Sequence, residues 1–442
     1  MSIAMTQPLY QSSTFGWISI VRLGLVQAAI GAIVVMTTST LNRIMVVELA
    51  LPASLPGLLV AIHYFVQVIR PRMGFESDSG AKRTPWIIGG VGLLALGGFG
   101  AAIATTLMGV NLIIGIAAAI VAFFLIGIGV SMSGTSLLAL LAKGVSDERR
   151  AAAATTVWLM MIFGFALTSG IAGKFLDPYS PEKVILISGI ISSIACVITV
   201  LALYKLEGHE LENTPKSSVQ KTPFKKALAD ILSDPDTKKF TIFIFLSMFA
   251  FSAQDLILEP FAGIIFKYSL GETTSLSGIQ HSGVLSGMLL VAFCGSSRLR
   301  SYFGSLRSWM IYGCLASALA MFGLVVAGIV EGAWPLKLNV FVLGLANGAF
   351  SIAAIASMMR LAVIGGSGKE GVRIGLWGGA QAIAFGLGGL LGASASDLAR
   401  SIFTNPAFAY SSVFFIEAIL FIASAYMASQ VESKTSSPSG AR

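Results

Sequence analysis

The stretch Phe249-Ala-Phe-Ser-Ala-Gln-Asp-Leu-Ile-Leu-Glu-Pro-Phe-Ala-Gly263 places Gln254, Asp255 and Glu259 inside a run that otherwise reads as a membrane-spanning helix. On insertion scales an ionisable side chain at such depth costs ~2.5 kcal/mol or more, so it is paired or functional. The same arrangement with a charge of the other sign occurs in the first apolar run, as Leu41-Asn42-Arg43-Ile44-Met45-Val46-Val47-Glu48. Two matched helices carrying opposite charges predict a contact between Arg43 and Asp255 across a seam. The competing arrangement has Arg43 reaching the outer interface while Asp255 bonds Gln254 or a backbone group.

Composition fixes the class of molecule around these two helices. Of 442 residues, 55% are hydrophobic and only 11% charged, with a mean hydropathy of +0.84. Runs long enough to span, about 20 mostly apolar residues each, fall at 20–47, 54–72, 85–107, 111–141, 150–173, 183–205, 240–267, 275–296, 308–330, 336–363, 371–394 and 408–430. The fold class is therefore an all-α polytopic membrane protein with twelve transmembrane helices. The net charge of +8 does not indicate nucleic acid, because Lys and Arg gather in alternate connections. One side holds Arg70, Arg72, Lys82, Arg83, Lys143, Arg149, Arg150, the lysines from Lys205 to Lys239, Arg298, Arg300, Arg307, Arg360, Lys369 and Arg373. The other holds Lys174, Lys183, Lys267, Lys337 and Arg400. By the positive-inside rule both termini and the central loop are cytoplasmic. The N-terminus lacks a basic region followed by a cleavage site, so no removable signal peptide is expected.

The two halves read as a repeat. A shift of 224 positions superposes Gly80 on Gly304, Arg83 on Arg307, Gly144 on Gly368, Arg149 on Arg373 and Gly164 on Gly388. Two six-helix halves of parallel topology suit a major-facilitator fold. The expected units are residues 1–205, a cytoplasmic linker at 206–239, residues 240–430 and a disordered tail at 431–442. Within the linker, Phe224, Leu228, Ile231 and Leu232 recur at helical spacing beside Lys225, Lys226, Lys238 and Lys239, which reads as an amphipathic helix on the anionic leaflet.

The segments Thr37–Leu49 (TTSTLNRIMVVEL) and Ser252–Gly263 (SAQDLILEPFAG) resemble the two signatures of the PucC/LhaA family, the bacteriochlorophyll-delivery branch of the major facilitator superfamily. FGWISIVRLGLVQAAIGAIVVM and GFESDSGAKRTPWIIGG are also similar to that family, and the likeness runs from about Phe15 to about Gln430. The loop GFESDSGAKRTPW looks closest to the paralogue associated with bacteriochlorophyll synthesis enzymes. The resemblance implies a factor for assembling light-harvesting or reaction-centre complexes in the inner membrane of a photosynthetic bacterium. Its implied cargo is bacteriochlorophyll or a related chlorin, and its implied partners are membrane lipids, subunits of those complexes and pigment synthesis enzymes. The rival class is a proton-coupled transporter of a small amphipathic solute using Asp255 or Glu259.

Further residues carry open readings. Gly74 and Asp78 with Lys82 and Arg83 are similar to the facilitator loop that latches the halves on the cytoplasmic side, although Gly80 comes one residue early; a tight turn bearing orientation charges is the alternative. Asp147 and Glu148 suit the positive N-terminal end of helix five. Glu417 in helix twelve either turns inward to a polar neighbour or faces another protein or a pigment head group. His63 and His281 occupy corresponding places in the halves, and neutral imidazole suits the Mg²⁺ of a chlorin; a hydrogen bond to a neighbouring helix is the simpler role. Cys196, Cys294 and Cys314 fall in separate runs with no metal-ligand spacing. No nucleophile elbow, phosphate loop or metalloprotease motif is present, so a chain that is not an enzyme is expected, with no firm cofactor and no metal.

Overall fold

A computed structural model describes residues 15–69, 82–145, 147–207, 234–294, 305–330, 333–364 and 370–431. The described residues form helices and connections, without a strand. The helices are α1 (Trp17–Glu48), α2 (Ser54–Val66), α3 (Thr84–Met108), α4 (Leu112–Gly144), α5 (Asp147–Phe175), α6 (Pro181–Leu203), α7 (Pro235–Ile265), α8 (Leu270–Cys294), α9 (Leu306–Val330), α10 (Leu336–Ile364), α11 (Glu370–Ile402) and α12 (Pro406–Gln430). Eleven of the described helices are long and apolar enough to cross a bilayer. The described part of α2 is 13 residues and ends in a 3-10 turn at Gln67–Ile69, shorter than the 54–72 run expected.

Packing repeats with a step of six. In the first half α1 lies against α5 and α6, α2 against α4, and α3 against α4 and α6. In the second, α7 lies against α11 and α12, α8 against α10, and α9 against α10 and α12. The halves meet where α5 touches α8 and α11 touches α2, a pair of contacts related by the same step. This is the major-facilitator arrangement the two matched runs predicted. Each half has its own apolar core, while large apolar side chains such as Ile18, Leu96, Ile113 and Leu319 point outward, as a bilayer solvent requires.

Small residues set how closely helices approach. At α5 and α8, a Cβ on Gly271 would lie 2.3 Å from the Gly173 carbonyl oxygen, so neither position accepts a side chain without separating the halves.

Two expectations shift. Lys238 and Lys239 lie in the opening turns of α7, which starts at Pro235, and so do not flank a separate surface helix; the proline at the first turn starts the span earlier. The connection between α3 and α4 is a real turn at 109–111, where Asn111 Oδ1 accepts the Ile114 amide at 3.2 Å. Gly74, Asp78, the polar linker from His209 to Gln220, the amphipathic run at 224–232 and the tail from 432 onward lie outside the described residues.

Candidate functional site

Pro260 sits inside α7. A proline has no N–H, so the carbonyl four residues earlier, that of Leu256, loses its helical donor. Asn42 of α1 supplies the replacement: its Nδ2 donates to Leu256 O at 2.7 Å. The two charged helices found in the sequence thus do meet, and the amide beside Arg43 makes the joint.

Arg43 does not pair with Asp255. Its Nη1 donates to Glu48, and its Nη2 donates to the Tyr268 carbonyl at 3.1 Å. The reason is backbone winding. In an α-helix, residues five apart point about 140° away from each other. Here Met36–Thr40 and Ile44–Glu48 are π-helical, with the Leu49 amide bonded to Ile44 O, so residues five apart fall on one side. The π winding makes Glu48 the partner of Arg43. Tyr268 O reaches the guanidinium because Lys267 adopts a left-handed conformation (φ 57°) that ends α7 and turns the chain back. Gly263 makes room, since a Cβ there would stand 3.4 Å from Arg43 Nε. The nearby Tyr179 hydroxyl, in the connection after α5, is pushed above the ordinary tyrosine range by burial and then by Glu48.

Asp255 instead accepts from Gln280 Nε2 of α8 at 3.0 Å. Glu259, 2% exposed, makes no close hydrogen bond among the described residues, although Ser39, Arg43 and Asp255 stand near enough to act on it. Gln254 is fully buried, and both its amide atoms are unpartnered among the described residues. Glu417 is 2% exposed and turned into the bundle, within electrostatic reach of Asp255 and without a hydrogen bond. Helices α7 and α12 are zipped beside it by Phe261 against Phe414 and Tyr410. Glu417 thus faces inward, yet no hydrogen-bonded polar neighbour meets it among the described residues.

The seam continues along α1 and α8. Ser39 Oγ lies 3.2 Å from Ser277 Oγ, and Thr40 Oγ1 lies 3.3 Å from Thr274 Oγ1. One turn on, His281 Nδ1 is 2.8 Å from the Ser277 carbonyl. A carbonyl only accepts, so Nδ1 carries the proton and Nε2 holds the lone pair. Phe165 of α5 meets the imidazole edge-on at 5.0 Å. His63 stands apart: its Nε2 is 3.0 Å from Gln67 Nε2, and the neighbouring Tyr64 stacks on Phe385 of α11. Lys82 and Arg83 are also remote from this core. The Arg83 and Thr84 amides are capped by Glu207, which accepts at 2.8 and 2.9 Å.

The structure therefore gathers Asn42, Arg43, Glu48, Gln254, Asp255, Glu259 and Glu417 around the α1–α7–α8 junction, with His281 beside them, and leaves His63 and the loop after α2 out. Sequence reasoning missed Ser39, Thr40, Thr274, Ser277, Gln280 and Tyr268. The signal for Gln280 was its place beside His281. Tyr268 acts through its carbonyl and left none. Among the described residues no cluster of His, Cys, Asp and Glu suits a metal ion, and the three cysteines are free.

Residues 40–436 match the family model described as PUCC protein. The chain belongs to the PUCC protein family. It is 50% identical over 422 residues, 95% of this chain and 96% of the relative, to the bacteriochlorophyll synthase 44.5 kDa chain of Rhodobacter capsulatus. It is 29% identical to protein PucC of Rhodobacter capsulatus, over 91% of this chain and 90% of the relative. Among solved structures, a mutant of the nucleoside transporter NupG superposes with a TM-score of 0.70 at 15% identity, covering 94% of this chain and all of the other. A D-xylose-proton symporter gives 0.69, also at 15% identity, over 92% and 97%. These two fix the fold alone. The expectation of a chain that is not an enzyme is corrected by the 50%-identical relative, whose name makes it a chain of a synthase.

Proposed function

We propose that this multi-pass PUCC family protein serves the assembly of light-harvesting or reaction-centre complexes by binding or delivering bacteriochlorophyll, in association with the enzymes that make the pigment. The observation that carries this is the 50% identity, over nearly the full length of both chains, with a protein named as a bacteriochlorophyll synthase chain. The site is compatible with such a cargo. His281, with Nδ1 held by a backbone carbonyl, directs its lone pair from Nε2, the donor a chlorin magnesium takes, while Gln254 and Asn42 offer buried amide oxygens without partners among the described residues. His63 is the second candidate ligand. Both termini and the segment 208–233 face the cytoplasm in this reading, supported by the one-sided distribution of Lys and Arg.

The test is purification from native photosynthetic membranes. A chlorin absorption band travelling with the protein, weakened in His281→Ala and accompanied by a loss of antenna complexes in a deletion strain, is the expected result. Pigment-free protein together with normal antenna levels in the deletion strain would refute the proposal. The second reading, a proton-coupled transporter of a small amphipathic solute, draws on the half-buried Asp255 and the buried Glu259 and Glu417, and solute-driven proton flux in vesicles would favour it.

A further inference from the structure

Two aspartates 220 residues apart make the same contact in opposite directions. Asp177, just beyond α5, accepts the Gly271 amide at 2.9 Å through Oδ1 and the Ser269 hydroxyl at 2.5 Å through Oδ2, at the start of α8. Asp397, near the end of α11, accepts the Ala53 and Ser54 amides at 2.8 Å each, at the start of α2. In each case the fifth helix of one half supplies a carboxylate to the opening turn of the second helix of the other half. That is where a helix presents unpaired N–H groups and the positive end of its dipole. Lys183 steadies the first of these by donating to the Asp177 and Pro178 carbonyls at 3.1 and 3.0 Å.

Among the described residues, the hydrogen bonds that cross between halves at Ser39, Thr40, Asn42 and Arg43 lie on the part of α1 nearest this same end. The contacts are also of a reversible kind. Carboxylates and end-of-helix amides at the rim of a membrane protein exchange each other for water, whereas interlocked apolar side chains do not.

We propose that Asp177 and Asp397 form a twofold-related clasp that holds the two halves shut at this end, so that opening the seam there requires release of both. The proposal stands independently of what the protein carries.

The experiment uses the full chain in lipid nanodiscs, with Cys196, Cys294 and Cys314 replaced by alanine and one cysteine introduced at Ser39, which the closed seam buries. The rate of modification by a water-soluble maleimide reports opening. Asp177→Asn and Asp397→Asn, which keep side-chain shape and remove the charge, are each expected to raise the rate modestly. The double variant is expected to raise it several-fold beyond either. An unchanged rate in a folded double variant would overturn the clasp. If the asparagine variants do not fold, spin labels at Glu182 and Lys337, one in each half, are placed in the protein with both aspartates intact. A single narrow distance distribution is then expected, and a broad one overturns the proposal. Ser269→Ala, which removes only the hydroxyl arm of one contact, is expected to give an intermediate maleimide rate.

Discussion

At the scale of single residues, the joint between Asn42 and the carbonyl freed by Pro260 is the most specific consequence of this sequence. Asn42→Ala is expected to destabilise the protein by about 1–3 kcal/mol, the cost of leaving a buried acceptor unpaired. Pro260→Ala restores the missing N–H to α7, so the double variant is expected to recover most of that loss in detergent melting experiments. Simple addition of the two effects would refute the account. Arg43 supplies a second test. Its coupling energy with Glu48 in a double-mutant cycle is expected to exceed that with Asp255, reversing what charge alone suggested. The sequence announced that Arg43 and Asp255 were special, and both are in the polar core. It did not announce their partners, because π winding of α1 moves Glu48 through a change no periodicity reveals. Asp177 and Asp397 were equally hidden, since an acid near a helix end looks like any loop residue until the helix it caps is known.

At the scale of helices, twelve spans were legible because each must carry enough apolar length to cross the bilayer, and that constraint acts on composition. Helix ends were less so. The start of α7 slid from residue 240 to Pro235, and within the described residues α2 gives way to a 3-10 turn after Val66. Close approach was not legible either, because 48 glycines do not declare which ones face a neighbour. Gly173 and Gly170, one turn apart on α5, separate the cases. A Cβ on Gly173 would lie 2.3 Å from Ser275 Oγ, whereas Gly170 has open space there. Gly173→Val is therefore expected to lose about 1–3 kcal/mol through overpacking. Gly170→Ala is expected to be neutral or to gain up to about 1 kcal/mol from helix propensity. Thermal stability by fluorescence-detected size exclusion distinguishes them, and equal losses would show that α5 does not meet α8 as described.

For the whole molecule, the repeat was legible as matched positions 224 apart and appears as packing pairs stepped by six. The direction of the molecule in its membrane is a separate question. A cysteine introduced at Ser217 is expected to react only with reagents that reach the cytoplasm, and labelling from outside intact cells would reverse the proposed orientation. The exchange of carboxylates between halves has one more consequence. The contacts described between the halves are made by side chains and helix ends of α1, α2, α5, α7, α8 and α11. A nick between 208 and 233 cuts none of those helices. Two fragments, one ending after α6 and one beginning before α7, are therefore expected to find each other when co-expressed and to behave as a heterodimer with the same seam. The covalent connection would then serve to deliver both halves in equal number and close together, while recognition between them is written in α1, α2, α5, α7, α8 and α11.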